Sequence, residues 1–244
     1  MALAVPSMLG TACADDANTD KAVLAVFAAS SLTDAFVEIG EAFAVQHPDV
    51  RIVFNFAGSG ELVTQITQGA PADVFASADD SNMSRLIDAA EIAGDPRVIA
   101  RNTFQIIVEP GNPLGIANLA DLADPELLVV LCADTVPCGQ GARTVLSNAG
   151  VVVTPKSLED KVKGVVTKVT TGEADAGIVF VTDVIAAGDD ATGVEIPADV
   201  NALSNYPIVE TKAASNAEAA QAFIEFVASD EGQAILASYG FLAP

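Results

Sequence analysis

An open α/β fold built on a mostly parallel sheet is what the sequence predicts, and three observations predict it. Short apolar runs of strand length alternate with segments whose apolar residues recur at helical spacing, an alternation that implies crossover connections between parallel strands. Hydrophobic residues make up 51% of the 244 residues and charged ones only 18%, enough apolar material for a well-filled core and unlike a disordered chain. The length suits one large domain or two of about 110 residues each.

Residues 23–28 (VLAVFA) form a nearly continuous apolar run, as in a strand buried on both faces. Leu32, Ala35, Phe36, Ile39 and Phe43 then fall at helical spacing, and Ser31 with Asp34 approximates a capping box, so Ser31 is expected to cap a helix directly after the strand. Residues 50–56 read as a strand, Gly58-Ser59-Gly60 as a tight turn and 61–68 as a helix. Residues 73–77 are a third strand, followed by a helix over 80–90. Strands are expected at 103–108, 127–131 and 176–180, and helices at 140–148 and 159–171. The last strand is 206–210; Ser215 and Glu218 form a capping box for a helix carrying Ala219, Ala222, Phe223, Phe226 and Val227 on one face, and a short helix over 231–239 closes the chain.

The 33 acidic residues against 11 basic ones give a formal charge of -22, which excludes nucleic acid as a partner, because that affinity comes from Lys and Arg displacing counterions from phosphates. A small anion is not excluded, since local dipoles can hold one. After the first dozen residues, no stretch is apolar for the 18 or more positions that a membrane span needs.

Residues 1–21 read as a lipoprotein-like signal remnant and linker: a small, apolar segment ends in Leu9-Gly10-Thr11-Ala12-Cys13, with Cys13 the candidate for acylation, and an acidic polar stretch follows. A basic n-region is missing, the first basic residue being Lys21. Localisation is therefore expected outside the cytoplasm, in the cell envelope: lipid-anchored to the outer face of the cytoplasmic membrane, that anchor being the only membrane contact, or, where the segment is a tail with a chance Cys, periplasmic or secreted. In an exported protein, Cys132 and Cys138, so close across a Pro-containing loop, are expected to form a disulfide that contributes about 2 kcal/mol by loop closure. Zinc is the competing reading, but Cys13 is remote and His47 is the only histidine, so a second ligand pair is missing.

Ligands of open α/β sheets gather beyond the carboxyl ends of strands, where helix N-termini point. Ser31 and Ser59 fall there, each offering a hydroxyl and an amide, and Val136-Pro137-Cys138-Gly139 supplies a third helix start; unpaired amides and dipoles at such starts suit a small anion. A serine at a helix start usually does nothing more than cap. Gly58-Ser59-Gly60-Glu61 is neither a Walker loop nor a complete GxGxxG, because Val63 stands in the third glycine's place, and no GxSxG elbow occurs. His47, before Pro48, fits a helix end better than a base, and Asp73, Asp79 and Asp183 show no spacing of an acid/base pair. No enzyme, cofactor or metal cation is expected.

Five stretches together carry a resemblance: residues 27–34 (FAASSLTD), 56–62 (FAGSGEL), 68–79 (QGAPADVFASAD), 136–139 (VPCG) and 177–183 (GIVFVTD). In order, from about residue 22 to Pro244, the chain resembles the molybdate-binding ModA family, the solute receptors of bacterial ABC-type molybdate importers. The resemblance implies a type II periplasmic-binding-protein fold, two α/β lobes joined by two crossover strands, with lobe one at 22–102 plus 207–244 and lobe two at 103–206. It implies a monomer that captures molybdate or tungstate and delivers it to an importer permease. Its oxyanion ligands fall on Ser31 and Ser59, through hydroxyl and amide, and on the amides of Cys138 and Val162. The remaining family ligand, a tyrosine hydroxyl, falls on Phe180, which cannot donate; a bond to a charged group is worth about 1.5–3 kcal/mol. Ser30, Thr182 or a water are the candidate replacements. Lys161, Lys163 and Arg143 lie near matched positions and are expected on solvated helix faces. Two other readings stay open: a receptor for another tetrahedral oxyanion, and an interaction or adhesion lipoprotein that kept the fold and lost the ligand.

Overall fold

The first apolar run becomes β1 (Ala22–Ala29), whose side chains alternate between two cores: Leu24, Val26 and Ala28 join a large cluster, while Phe27 joins a smaller one on the other face of the sheet. The computed structural model describes residues 21–244; Cys13 and the rest of the signal-like segment lie outside the described residues. β2 (Val50–Ala57) and β3 (Val74–Ala76) flank β1 in parallel. The intervening helices are α1 (Thr33–Gln46), α2 (Ser59–Thr67) and α3 (Asp80–Asp88). α2 and α3 cover the smaller core through Leu62, Val63, Ile66, Met83 and Leu86.

Next comes β4 (Ile92–Val108), a strand of 17 residues that serves both lobes. Its first part pairs antiparallel with β9 (Leu203–Thr211), from Ile92↔Thr211 to Thr103↔Leu203. Its last part lies between β7 (Ala176–Phe180) and β8 (Thr192–Glu195), antiparallel to each. β5 (Val129–Cys132) joins β7 and β6 (Ser157–Glu159) in parallel. One hydrogen-bonded path therefore runs β2-β1-β3-β9-β4-β7-β5-β6, with β8 off β4. The second lobe carries α4 (Pro137–Ala149), α5 (Val162–Thr170) and α6 (Val181–Ala187). The chain returns to the first lobe with α7 (Ala217–Val227) and α8 (Asp230–Ser238). There Phe223 meets Phe36 and Phe43 of α1 edge to face, at 5.9 and 5.5 Å, which locks the returning helix to the N-terminal one.

Several local expectations change. β4 extends eleven residues before the expected start at 103, because Gly94-Asp95-Pro96 makes a bulge between Ala93 and Arg97 and not a chain reversal. Gly58 has extended angles and caps α2, which begins at Ser59 without a tight turn. Residues 157–159 form a strand, so the expected helix at 159–171 starts only at Val162. Ser31 lies in a 3-10 turn, Ser30–Leu32, and caps nothing; α1 starts at Thr33 without a side-chain cap. The cap of α7 is Asn216, whose side chain accepts from the Ala219 amide, while Ser215 donates through its N–H and hydroxyl to Asp73. Asp73 also accepts the Ala25 amide, so that carboxylate ties three segments together. His47 ends α1 as expected, its ring stacked 4.2 Å from that of Phe43.

Candidate functional site

Strand register decides where the site sits. β1 and β2 run level from Ala22↔Val50 to Ala29↔Ala57, so the residues that follow, Ser30-Ser31 and Gly58-Ser59, leave the sheet side by side. β3 is matched at Ala28↔Ala76, which delivers Ala78 to the same edge. In the second lobe the chain leaves β5, β6 and β7 at Cys132, Glu159 and Phe180 and turns towards α4, α5 and α6. The two sets of carboxyl edges face each other across a narrow cleft with a cavity of about 10 Å³. Ser31, Ser59, Cys138, Val162 and Phe180 all line it, so the structure brings the five sequence-derived positions together. Ser30 and Lys161 line it too, and among the described residues no Asp or Glu does. The recess between Arg85 and Asp160 is wider and holds none of Ser31, Ser59, Cys138 and Val162.

The cavity wall is mostly apolar, and the polar groups set into it include helix starts and two serines, Ser31 and Ser59. α2 begins at Ser59, α4 at Pro137 and α5 at Val162; none of the three has a side-chain cap, so their first-turn amides stay without side-chain partners. Aligned peptide dipoles add positive potential at each start. Pro137 at the first position of α4 wastes no amide, and the disulfide between Cys132 and Cys138 ties the end of β5 to this turn. That pairing also consumes the thiolates that a zinc site would need. Among the described residues no group of three or more His, Cys, Asp or Glu could hold a metal ion.

The two serine hydroxyls are oriented from behind. Ser59 Oγ accepts the Ala78 amide at 3.2 Å, and Ser31 Oγ lies 3.0 Å from the Tyr206 hydroxyl. An oxygen that accepts from the protein keeps its own proton free for the cavity. Phe180 presents a ring that packs tilted against Phe104, with centroids 4.7 Å apart, and supplies no donor.

Of the three basic residues, Arg143 is exposed and pairs with Asp134 at 3.2 Å, a surface pair. Lys161 lines the cavity, contrary to expectation. Lys163 also departs from the solvated face expected of it: its Nζ lies 2.9 Å from Asp34 Oδ2 of α1 and 3.8 Å from Asp183 Oδ1 of α6, bridging the lobes. Sequence offered no signal for that contact, since Asp34 and Lys163 are 129 positions apart.

Asp183 is 1% exposed and neither carboxylate oxygen has a hydrogen-bond partner. Burial pushes its carboxyl up to about 7 from an ordinary 3.8, against the opposing pull of Lys163. The folded state therefore holds a proton that the unfolded chain has lost between 3.8 and about 7, and stability falls as pH rises through that window, then levels off. Asp183→Asn removes the titration. Its stability gain over the parent should be about 2–3 kcal/mol larger at pH 8 than at pH 5. Urea unfolding at the two values checks this, and an equal difference at both refutes it.

The comparisons agree with this geometry. The model of the family described as bacterial extracellular solute-binding protein matches residues 24–242. The molybdate-binding protein ModA of Mycobacterium tuberculosis (strain H37Rv) is 42% identical over 221 residues, covering 91% of this chain and 85% of that protein. The molybdate-binding protein ModA of Escherichia coli K12 is 30% identical over 243 residues, covering 96% and 94%. The periplasmic molybdate-binding protein of Azotobacter vinelandii superposes with a TM-score of 0.78 at 22% identity, covering 91% and 99%, a likeness of fold. The family match and the two relatives, each spanning about nine-tenths of the chain or more, place it with substrate-binding transport proteins of the two-lobe type. The chain belongs to the bacterial extracellular solute-binding protein family, and within it to the ModA group.

Proposed function

We propose that this protein is an extracytoplasmic receptor that captures molybdate or tungstate between its lobes and delivers it to an ABC importer permease. The observation that carries the reading is the cavity where Ser31, Ser59, Cys138 and Val162 converge with no carboxylate of the described residues in the wall. A dianion there would be held by two hydroxyls and by helix-start amides, a binding arrangement without the acid/base pair or nucleophile that turnover needs. Lobe one would be 22–102 plus 207–244 and lobe two 103–206, with β4 and β9 as the crossovers. A monomer suffices, because both walls come from one chain, and acylation at Cys13 would tether it to the membrane. Among the described residues no helix is long and apolar enough to cross a membrane.

Phe180 favours a second reading. Without the hydroxyl expected at that position, the site is one donor short, which suits either a different tetrahedral oxyanion or a chain that has lost its ligand. Discrimination would rest on cavity size and on protonation: phosphate keeps a proton at neutral pH, and helix-start amides cannot accept it. Calorimetric titration with molybdate, tungstate, sulfate and phosphate decides between them. Heat and 1:1 binding are expected with the first two; binding of sulfate alone supports the other-oxyanion receptor, and no heat with any anion supports the ligand-free lipoprotein.

A further inference from the structure

Tyr206 stands behind the cavity, on β9, where the two lobes meet. It is 0% exposed, its ring held edge-on between Phe180 at 5.7 Å and Phe241 at 5.2 Å, and its hydroxyl lies 3.0 Å from Ser31 Oγ. Asn102, on the other crossover strand and 1% exposed, donates from Nδ2 to Thr182 Oγ1 at 2.8 Å and to the Tyr206 oxygen at 3.5 Å. The Asn102 carbonyl oxygen is occupied by the Thr103 amide at 3.0 Å, which fixes the amide's orientation. Either hydroxyl of the Tyr206–Ser31 pair can donate; with Asn102 Nδ2 facing the phenol oxygen, donation from Tyr206 to Ser31 is the direction that leaves that oxygen an acceptor for Asn102. Burial pushes the phenol's ionisation upward, so it stays a donor at working pH.

We infer that Tyr206 is a positioning and specificity residue: the one-way chain from Asn102 through Tyr206 to Ser31 turns the Ser31 proton into the cavity and makes that hydroxyl a dedicated donor. The inference rests on the proposed oxyanion reading and deepens it. It gives Phe180 a physical context, since a phenol hydroxyl is present next to that ring but acts through Ser31 and not on the ligand. It also states how a neutral serine can reject a protonated anion. A freely rotating hydroxyl would turn round and accept the anion's proton, whereas one whose lone pair is taken by Tyr206 has less freedom to do so. Chains of this kind polarise each member and strengthen the terminal donor.

Tyr206→Phe keeps the ring and removes the hydroxyl. Molybdate affinity is expected to fall about tenfold, the scale of one hydrogen bond. Its preference over phosphate should narrow as well. In a Ser31→Ala background the same substitution should change affinity by less than about twofold, because the effect travels through Ser31. Equal losses in both backgrounds would mean that Tyr206 merely supports the fold, and would overturn the inference. A ligand-independent readout is NMR of the unliganded protein. A slowly exchanging Tyr206 hydroxyl proton with a nuclear Overhauser contact to Ser31 is expected, and a proton in fast exchange with water overturns the inference. If the parent protein binds neither molybdate nor tungstate, the receptor reading fails, and the hydroxyl signal decides the hydrogen-bond chain by itself.

Discussion

Combining Ser31→Ala with Ser59→Ala should lower molybdate affinity by about 10²–10⁴-fold, since each hydroxyl bonded to a charged ligand contributes about 1.5–3 kcal/mol. The hydroxyls are not caps: Ser31 lies in the 3-10 turn before α1, and Ser59 is the first residue of α2 after Gly58. Their removal nonetheless touches the fold. Ser59→Ala leaves the Ala78 amide without its acceptor, and Ser31→Ala leaves the Tyr206 hydroxyl with only the distant Asn102 amide. A buried polar group that loses its partner costs about 1–3 kcal/mol, so the double variant should be measurably less stable yet folded. Circular dichroism and urea unfolding establish the folded population before calorimetry is run on it. Affinity within about threefold of the parent would place the anion elsewhere and remove the basis for the site.

How much of this was legible beforehand follows from which interactions are local. The strand-to-helix starts at Ser31, Ser59 and Val136-Pro137 could be read because apolar runs, glycine, proline and serine act within a few residues of themselves. Their convergence could not be read from those signals, because it depends on the level register of β1 with β2 and on two lobes meeting; only the family resemblance supplied it. Ser31 misled as a cap: a serine before a helix has the right chemistry for capping, but here its hydroxyl is hydrogen-bonded to that of Tyr206, 175 residues away. The length of β4 misled for a related reason. Gly94, Asp95 and Pro96 are turn residues by local preference, and pairing with β9 on both sides of them converts the turn into a bulge. Lys163 looked like any exposed helical lysine until α1 supplied Asp34. The fold was thus legible where short-range chemistry decides it, and the polar contacts between lobes were not.

Those contacts make Gly58 the position where the least change should most affect capture. Its angles, φ -63 and ψ 136, suit any residue, so the backbone does not require glycine for its conformation. What requires it is the other lobe: a Cβ built there would lie 2.4 Å from the Asp160 carbonyl oxygen and 3.3 Å from Val136 Cγ1. Asp160 precedes the start of α5 and Val136 caps α4, so these are the approaches that bring the two helix starts onto the Ser59 side of the cavity. Gly58→Ala should therefore leave each lobe folded while holding the lobes apart. Relieving such an overlap costs about 1–3 kcal/mol, which lowers affinity roughly 5- to 150-fold. The unliganded protein escapes the clash by opening, so its own unfolding midpoint should hardly move, and fewer unfolded-state conformations could even raise it slightly. Small-angle scattering adds the decisive reading. With saturating molybdate the parent should contract and the variant should contract less; equal contraction at equal affinity would show that closure does not depend on this contact.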